Sequence, residues 1–271
     1  MTGLQDNGKK NVLTGAALKN VAYITMFIDH FFAVLFLGYM RLHTIDGKWD
    51  LQLEKVYRMG RAVGRVSFVL FAFLIVEGFV YTRSRTKYLA RLFLFALLSE
   101  IPFDLAFSGE LFDWGGQNIY WSLFTGVLVL CLWEYLSHYR KVFFAIGGVA
   151  VLIAGCAVAL WLNMDYRMMG ILLIFTLYRT RGRDMRLRFL AVGLVMFFGT
   201  WAGNCIRYAG QYTTAYLFAF SLREMYGLLA FLPIFLYNGE KGRQLPKPFY
   251  YAFYPVHLLV LYGIARAAGI M

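Results

Sequence analysis

Charge is what this chain has least of. Only 15% of its 271 residues are Asp, Glu, Lys or Arg, and 15 of them in all are acidic, against about a quarter charged in an ordinary soluble domain. With 60% hydrophobic and 19% aromatic residues and a mean hydropathy of +0.58, the composition excludes a water-soluble globule and describes a polytopic membrane protein. Cysteine is nearly absent too. Cys131, Cys156 and Cys205 each lie inside an apolar stretch, without the paired spacing of a disulfide framework or a metal site, so they read as small buried hydrophobes and no metal is expected. Neither a P-loop nor a dinucleotide fingerprint occurs, which removes support for ATP-driven and redox roles. No internal repeat is visible.

What is present is a series of apolar runs with basic residues between them. The net charge of +12 would suggest nucleic acid in a soluble chain, but basic loops between membrane spans explain it without such a partner. The first run, Lys19 to Leu37, has about the 20 residues that cross a hydrocarbon core. It is too long for a cleaved signal peptide, carries Asp29 and lacks a small-x-small exit site, so it reads as the first retained span. Further spans are expected near 62–82, 87–107, 119–137, 141–162, 168–179, 188–203, 211–237 and 249–268. The expectation is an all-α bundle of about nine spans, eight to ten allowing for a short sixth and a long eighth, forming one domain over residues 1–271. Residues 40–61 are polar and read as a loop or an interfacial helix.

Orientation follows from Lys and Arg. One side collects 17 of the 27, among them Lys9, Lys10, Arg83, Arg85, Lys87, Arg91, Arg179 to Arg188, Lys241 and Arg243, whereas the loop Ser108 to Asn118 on the other side has none. This puts the amino-terminal segment 1–17 in the cytoplasm and the long loop outside.

Ionisable residues inside spans are costly and therefore functional candidates. Asp29 and His30 fall near the midplane of the first span, His257 near that of the last, and Glu77 about 8 Å to the cytoplasmic side of the second span's centre. Glu100 and Asp104 share one face of the third, four residues apart with Pro102 between them, at a depth comparable to Arg65. They suit either a proton relay or a structural ion pair with Arg65. His30 or His257 suits a general base, with Asp29 fixing its tautomer or addressing His257 from a neighbouring helix; the competing reading is plain interhelical hydrogen bonding. Gly60-x-x-x-Gly64 favours close helix packing over phosphate binding. Arg223 and Glu224 carry no assigned chemistry. A proton-coupled transporter would also use intramembrane carboxylates and histidines, but such folds usually show repeats.

Several motifs in order resemble the TraX family, known for the pilin amino-terminal acetylase of conjugative plasmids. They are Ile24 to His30 after Lys19; Gly64-Arg65-Val66-Ser67-Phe68 leading to Glu77-Gly78-Phe79; Ser99-Glu100-Ile101-Pro102-Phe103-Asp104; Tyr237-Asn238-Gly239 with Lys241; and Phe249-Tyr250-Tyr251 with Tyr254-Pro255 and His257. The resemblance implies a bacterial cytoplasmic-membrane acetyltransferase. It would use acetyl-coenzyme A and act on an amine or hydroxyl of a membrane protein or envelope molecule. Asp29, His30, His257 and Glu77 would then be the catalytic candidates, with Arg65, Glu100 and Asp104 positioning helices or acceptor. Arg83, Arg85, Arg91, Lys241 and Arg243 would meet the phosphorylated donor.

Overall fold

The computed structural model describes residues 12–44 and 46–270; the greater part of the expected cytoplasmic segment 1–17 lies outside them. Among the described residues every regular element is helical. In order these are α1 (Gly15–Phe31), a π turn (Phe32–Phe36), α2 (Leu37–Leu42), α3 (Leu51–Tyr81), α4 (Arg85–Phe107), α5 (Ile119–Leu136), α6 (Lys141–Trp161), α7 (Arg167–Arg179), α8 (Met185–Arg207), α9 (Thr214–Glu224), a 3-10 turn (Met225–Ala230), α10 (Phe231–Phe235) and α11 (Lys247–Ala267). Helix starts follow local chemistry: Thr14, Asp50, Ser84, Asn118, Asp184 and Thr213 each accept a backbone N–H of the first turn, the usual N-cap device.

A helix covers each stretch expected to span. Six segments are long and apolar enough to cross a bilayer: Gly15–Leu42, Leu51–Tyr81, Ile119–Leu136, Lys141–Trp161, Met185–Arg207 and Thr214–Phe235. The first and last of these run continuously through the π and 3-10 turns. Of the others, α7 has 13 residues, about 20 Å of helix. Residues 40–61 divide between the end of α2, a short connection and the first turns of α3. The bundle's exterior is apolar, with Phe143, Ile146, Val149 and Ile153 of α6 and Leu187, Leu190, Leu194 and Phe198 of α8 exposed. That is a surface for hydrocarbon, not for water.

Helix α3 is the axis of the core. Val69, Leu70, Ala72, Val76 and Phe79 are fully buried in it, packed against α1, α5, α7 and the 3-10 turn. Its approach to α1 depends on Gly60 and Gly64, where a Cβ would overlap the Phe32 ring and the Asp29 side chain respectively, so the glycine pair is a packing device. Gly64→Ala is therefore expected to cost about 1–3 kcal/mol, read as a lower thermal midpoint in detergent. Gly263→Ala, inside α11 with open space around the new methyl, serves as the control and leaves the midpoint unchanged or raises it slightly, since alanine is the better helix former.

Two loop pairings shape the ends. Leu13, Gly15 and Ala16 donate backbone N–H groups to Leu236, Glu240 and Lys241 at 2.9, 2.7 and 2.9 Å, which brings Lys19 beside Lys241. At the other end Gln117 N–H reaches Asn163 O at 3.2 Å and Asp165 N–H reaches Gln117 O at 2.9 Å, holding the connection 162–166 over α5.

Candidate functional site

The π turn begins two residues after His30, at Phe32, and such a turn often marks a functional site. His30 Nδ1 lies 2.6 Å from His257 Nε2, and His257 Nδ1 lies 2.7 Å from the Phe253 carbonyl oxygen. A carbonyl only accepts, so His257 Nδ1 carries its proton and donates it there. In a neutral ring that leaves His257 Nε2 as an acceptor, and His30 Nδ1–H must donate to it. The lone pair of the dyad then resides on His30 Nε2. The two expected histidines are thus one unit ordered by its hydrogen bonds: His30 keeps the free lone pair and His257 holds its tautomer. Phe107 and Tyr254 set their rings edge-on to His30 at 5.6 and 5.9 Å.

Asp29 does not serve either histidine, contrary to expectation. Its Oδ2 accepts from Arg61 Nη1 at 2.8 Å, and its backbone carbonyl from the same nitrogen at 3.3 Å. Adjacent helical residues point about 100° apart, so with His30 turned to α11, Asp29 turns to α3.

Arg65 is the second correction. It pairs with Glu224 at 3.2 Å and reaches the Tyr166 hydroxyl, not Glu100 or Asp104. Shared depth does not imply a shared face: α4 packs mainly on α5 and α11, while this side of α3 looks toward α7 and the 3-10 turn. Glu100 instead accepts from Trp121 Nε1 at 2.7 Å and from Asn118, and Asp104 accepts the Asp113 N–H at 3.0 Å. Both brace the loop between α4 and α5. Glu77 is held by Arg181 at 2.9 Å. It stands 13 residues beyond Gly64, about 20 Å along α3 from the contact with Asp29, yet it lines the same cavity as Asp29 and His30, toward the end that holds Tyr81, Tyr88 and Arg91.

Two cavities share a wall at Asp165 and Tyr166. The larger, about 460 Å³, runs from Lys19, Arg91, Lys241 and Gln244 past Tyr88 and Tyr250 to Asp29, His30 and Ser67. Lys19 Nζ donates to Gln244 Oε1 and sits 4.7 Å over the Tyr250 ring. Of the expected donor-binding cations, Arg91 and Lys241 line this cavity. Arg85 pairs with Glu134 and covers Phe79, and Arg83 and Arg243 are exposed outside its wall. The smaller cavity, about 300 Å³, is lined by Arg61, Arg65, Arg167, Asn204 and Glu224 among others. Asp165 and Tyr166 belong to both walls.

Sequence reasoning passed over Arg61, Asp165 and Tyr166 as site residues and gave Lys19 and Glu224 no chemical role, although Glu224 stands where the eighth span breaks and pairs with Arg65. The signal for the Asp165 connection is local: Asn163, Tyr166 and Arg167 have φ of 49°, 60° and 42°, strained values for side-chain-bearing residues that persist where surroundings enforce them. Burial pushes the Asp165 carboxyl up to about 6, with Arg65 opposing. A carboxyl raised above its unfolded value binds more protons in the folded state, so stability falls as pH rises from about 4 toward 6. Asp165→Asn is expected to flatten that part of the curve of thermal midpoint against pH in detergent; an unaltered slope contradicts it.

The family model described as TraX protein matches residues 14–265. A curated relative, "Probable fimbrial assembly protein FimC, serogroup H1" of Dichelobacter nodosus, is 28% identical over 257 residues, covering 90% of this chain and 92% of the relative. No solved structure matches the chain.

Proposed function

Since the chain belongs to the TraX protein family, we propose that it serves pilus or fimbrial assembly as an integral-membrane acetyltransferase, moving acetyl from acetyl-coenzyme A to an amine or hydroxyl of an assembly component. The observation that carries the reading is the Phe253–His257–His30 relay at the inner end of a cavity whose mouth is cationic. In this reading nine helical passes with a cytoplasmic amino terminus place Lys19, Arg91 and Lys241 inside the cell, where the donor is. The cytoplasmic membrane is the location, and the smaller cavity opens outward.

The residues divide the work as follows. Lys19, Arg91 and Lys241 take the donor's phosphates at the mouth, and the tyrosine-lined cavity takes its thiol arm. His30 Nε2 removes the acceptor's proton as the acceptor's nitrogen or oxygen attacks the thioester carbonyl. The C–S bond breaks, and the proton passes from His30 to the departing thiolate. His257 keeps the His30 Nδ1–H donated, which stabilises the imidazolium through the transfer. Asp165 and Tyr166 form the wall where donor and acceptor meet, and the Arg61–Asp29 and Arg65–Glu224 pairs hold that wall. No cysteine lines either cavity, which favours direct transfer over an acyl-enzyme.

The test is coenzyme A release by the purified protein with envelope fractions as acceptor source. Release that depends on both acetyl-coenzyme A and the fraction supports the reading. No release from any fraction, together with a proton-dependent flux in liposomes, replaces it with a transporter.

A further inference from the structure

Three arginines line the smaller cavity, and two are matched: Arg61 by Asp29 and Arg65 by Glu224. Arg167 is not. Its Nε donates to Asn163 Oδ1 at 2.9 Å, its Nη1 to Asn204 Oδ1 at 3.1 Å and its Nη2 to the Tyr208 hydroxyl at 3.1 Å. All three partners are neutral. Among the described residues no carboxylate lies within ion-pair distance of its guanidinium.

Asn204 supplies an independent observation. It is 3% exposed, and because its Oδ1 faces Arg167, the orientation of its amide is settled. Its Nδ2, which can only donate, has no partner, and the residue lines the cavity. One turn earlier on α8, Thr200 lines the same wall, and its buried hydroxyl is also unpartnered. Glu224 Oε2 is a third unpartnered atom there, but its charge is already answered by Arg65. Asp165 also lines this cavity without an ion-pair partner among the described residues, but at Arg167 itself an unmatched guanidinium stands beside buried donors, and that part of the wall suits a group that brings oxygen acceptors and negative charge.

We propose that Arg167 and Asn204 form a binding site for an oxyanion, a carboxylate or a phosphate, entering the smaller cavity, and that during transfer this site grips an acidic group carried by the acceptor. The second half rests on the acetyltransferase reading; the first does not.

Asn204→Asp tests it, because the new carboxylate supplies internally the ion pair that the ligand would make, keeping the fold while closing the site. Binding of inorganic phosphate and of succinate to the detergent-purified full chain is measured by calorimetry without acetyl-coenzyme A. The wild type is expected to bind at least one of them, and Asn204→Asp and Arg167→Gln to bind it at least tenfold more weakly, with the thermal midpoint of Asn204→Asp unchanged or raised. Preference for phosphate assigns the site to a phosphorylated acceptor, preference for succinate to a carboxylated one. A wild type that binds neither, or an Asn204→Asp protein that binds as well as wild type, overturns the site. Coenzyme A release followed in parallel separates the two readings: anion binding without release refutes the transferase alone, and release without anion binding refutes the site alone.

Discussion

His30→Gln is expected to lower acetyl transfer by about 10²–10⁴-fold, the usual contribution of a positioned general base, with protein level and thermal midpoint little changed. The reasoning is the order of donors: Phe253 O takes the proton of His257 Nδ1, so His257 Nε2 accepts from His30 Nδ1, and the free lone pair is on His30 Nε2. The partner's variants should then be graded. His257→Gln retains an oxygen able to accept from His30 Nδ1 and should lose less than His30→Gln, whereas His257→Phe removes the acceptor and frees the tautomer, falling between the two. Initial rates of coenzyme A release provide the measurement. Near-normal rates for His30→Gln alongside collapse for His257→Gln would reverse the assignment.

Arg65→Ala is expected to destabilise the protein by about 3 kcal/mol, because removing one member of a buried pair strands the other charge. Glu224 is 6% exposed and already has one oxygen without a partner, so it has no second cation to fall back on among the described ion pairs. Arg65→Met with Glu224→Met removes both charges and should recover much of the loss, giving a large coupling in a double-mutant cycle. Thermal or denaturant unfolding in detergent reads this out. Strict additivity of the single variants would mean that the pair contributes nothing as a pair.

The fold was largely legible because hydropathy acts along the chain: helices lie over every apolar run, including the short α7, and Gly60 and Gly64 signalled close helix packing, whose partner, α1, only the structure identifies. The site was legible in its members more than in its pairings. Helical rise converts sequence number into depth, which is why His30 and His257 were placed together. It says nothing of direction around the helix axis, so Arg65 was matched to Glu100 and Asp104 at its own depth when it faces Glu224 across the 3-10 turn. Asp29 was likewise matched to a histidine when it faces Arg61. Asp165 escaped for another reason: it sits in a five-residue connection, 162–166, whose inward course is set by pairing with Gln117, a contact that no periodicity records.

The most direct test of the account is to supply isotopically labelled acetyl-coenzyme A to the reconstituted protein together with envelope fractions and to follow the label by mass spectrometry. The account predicts one labelled acetyl group covalently attached to an envelope component, present with the wild type and lost with His30→Gln. Label that appears only as free acetate, or an acetylated product that persists unchanged without His30, would contradict it.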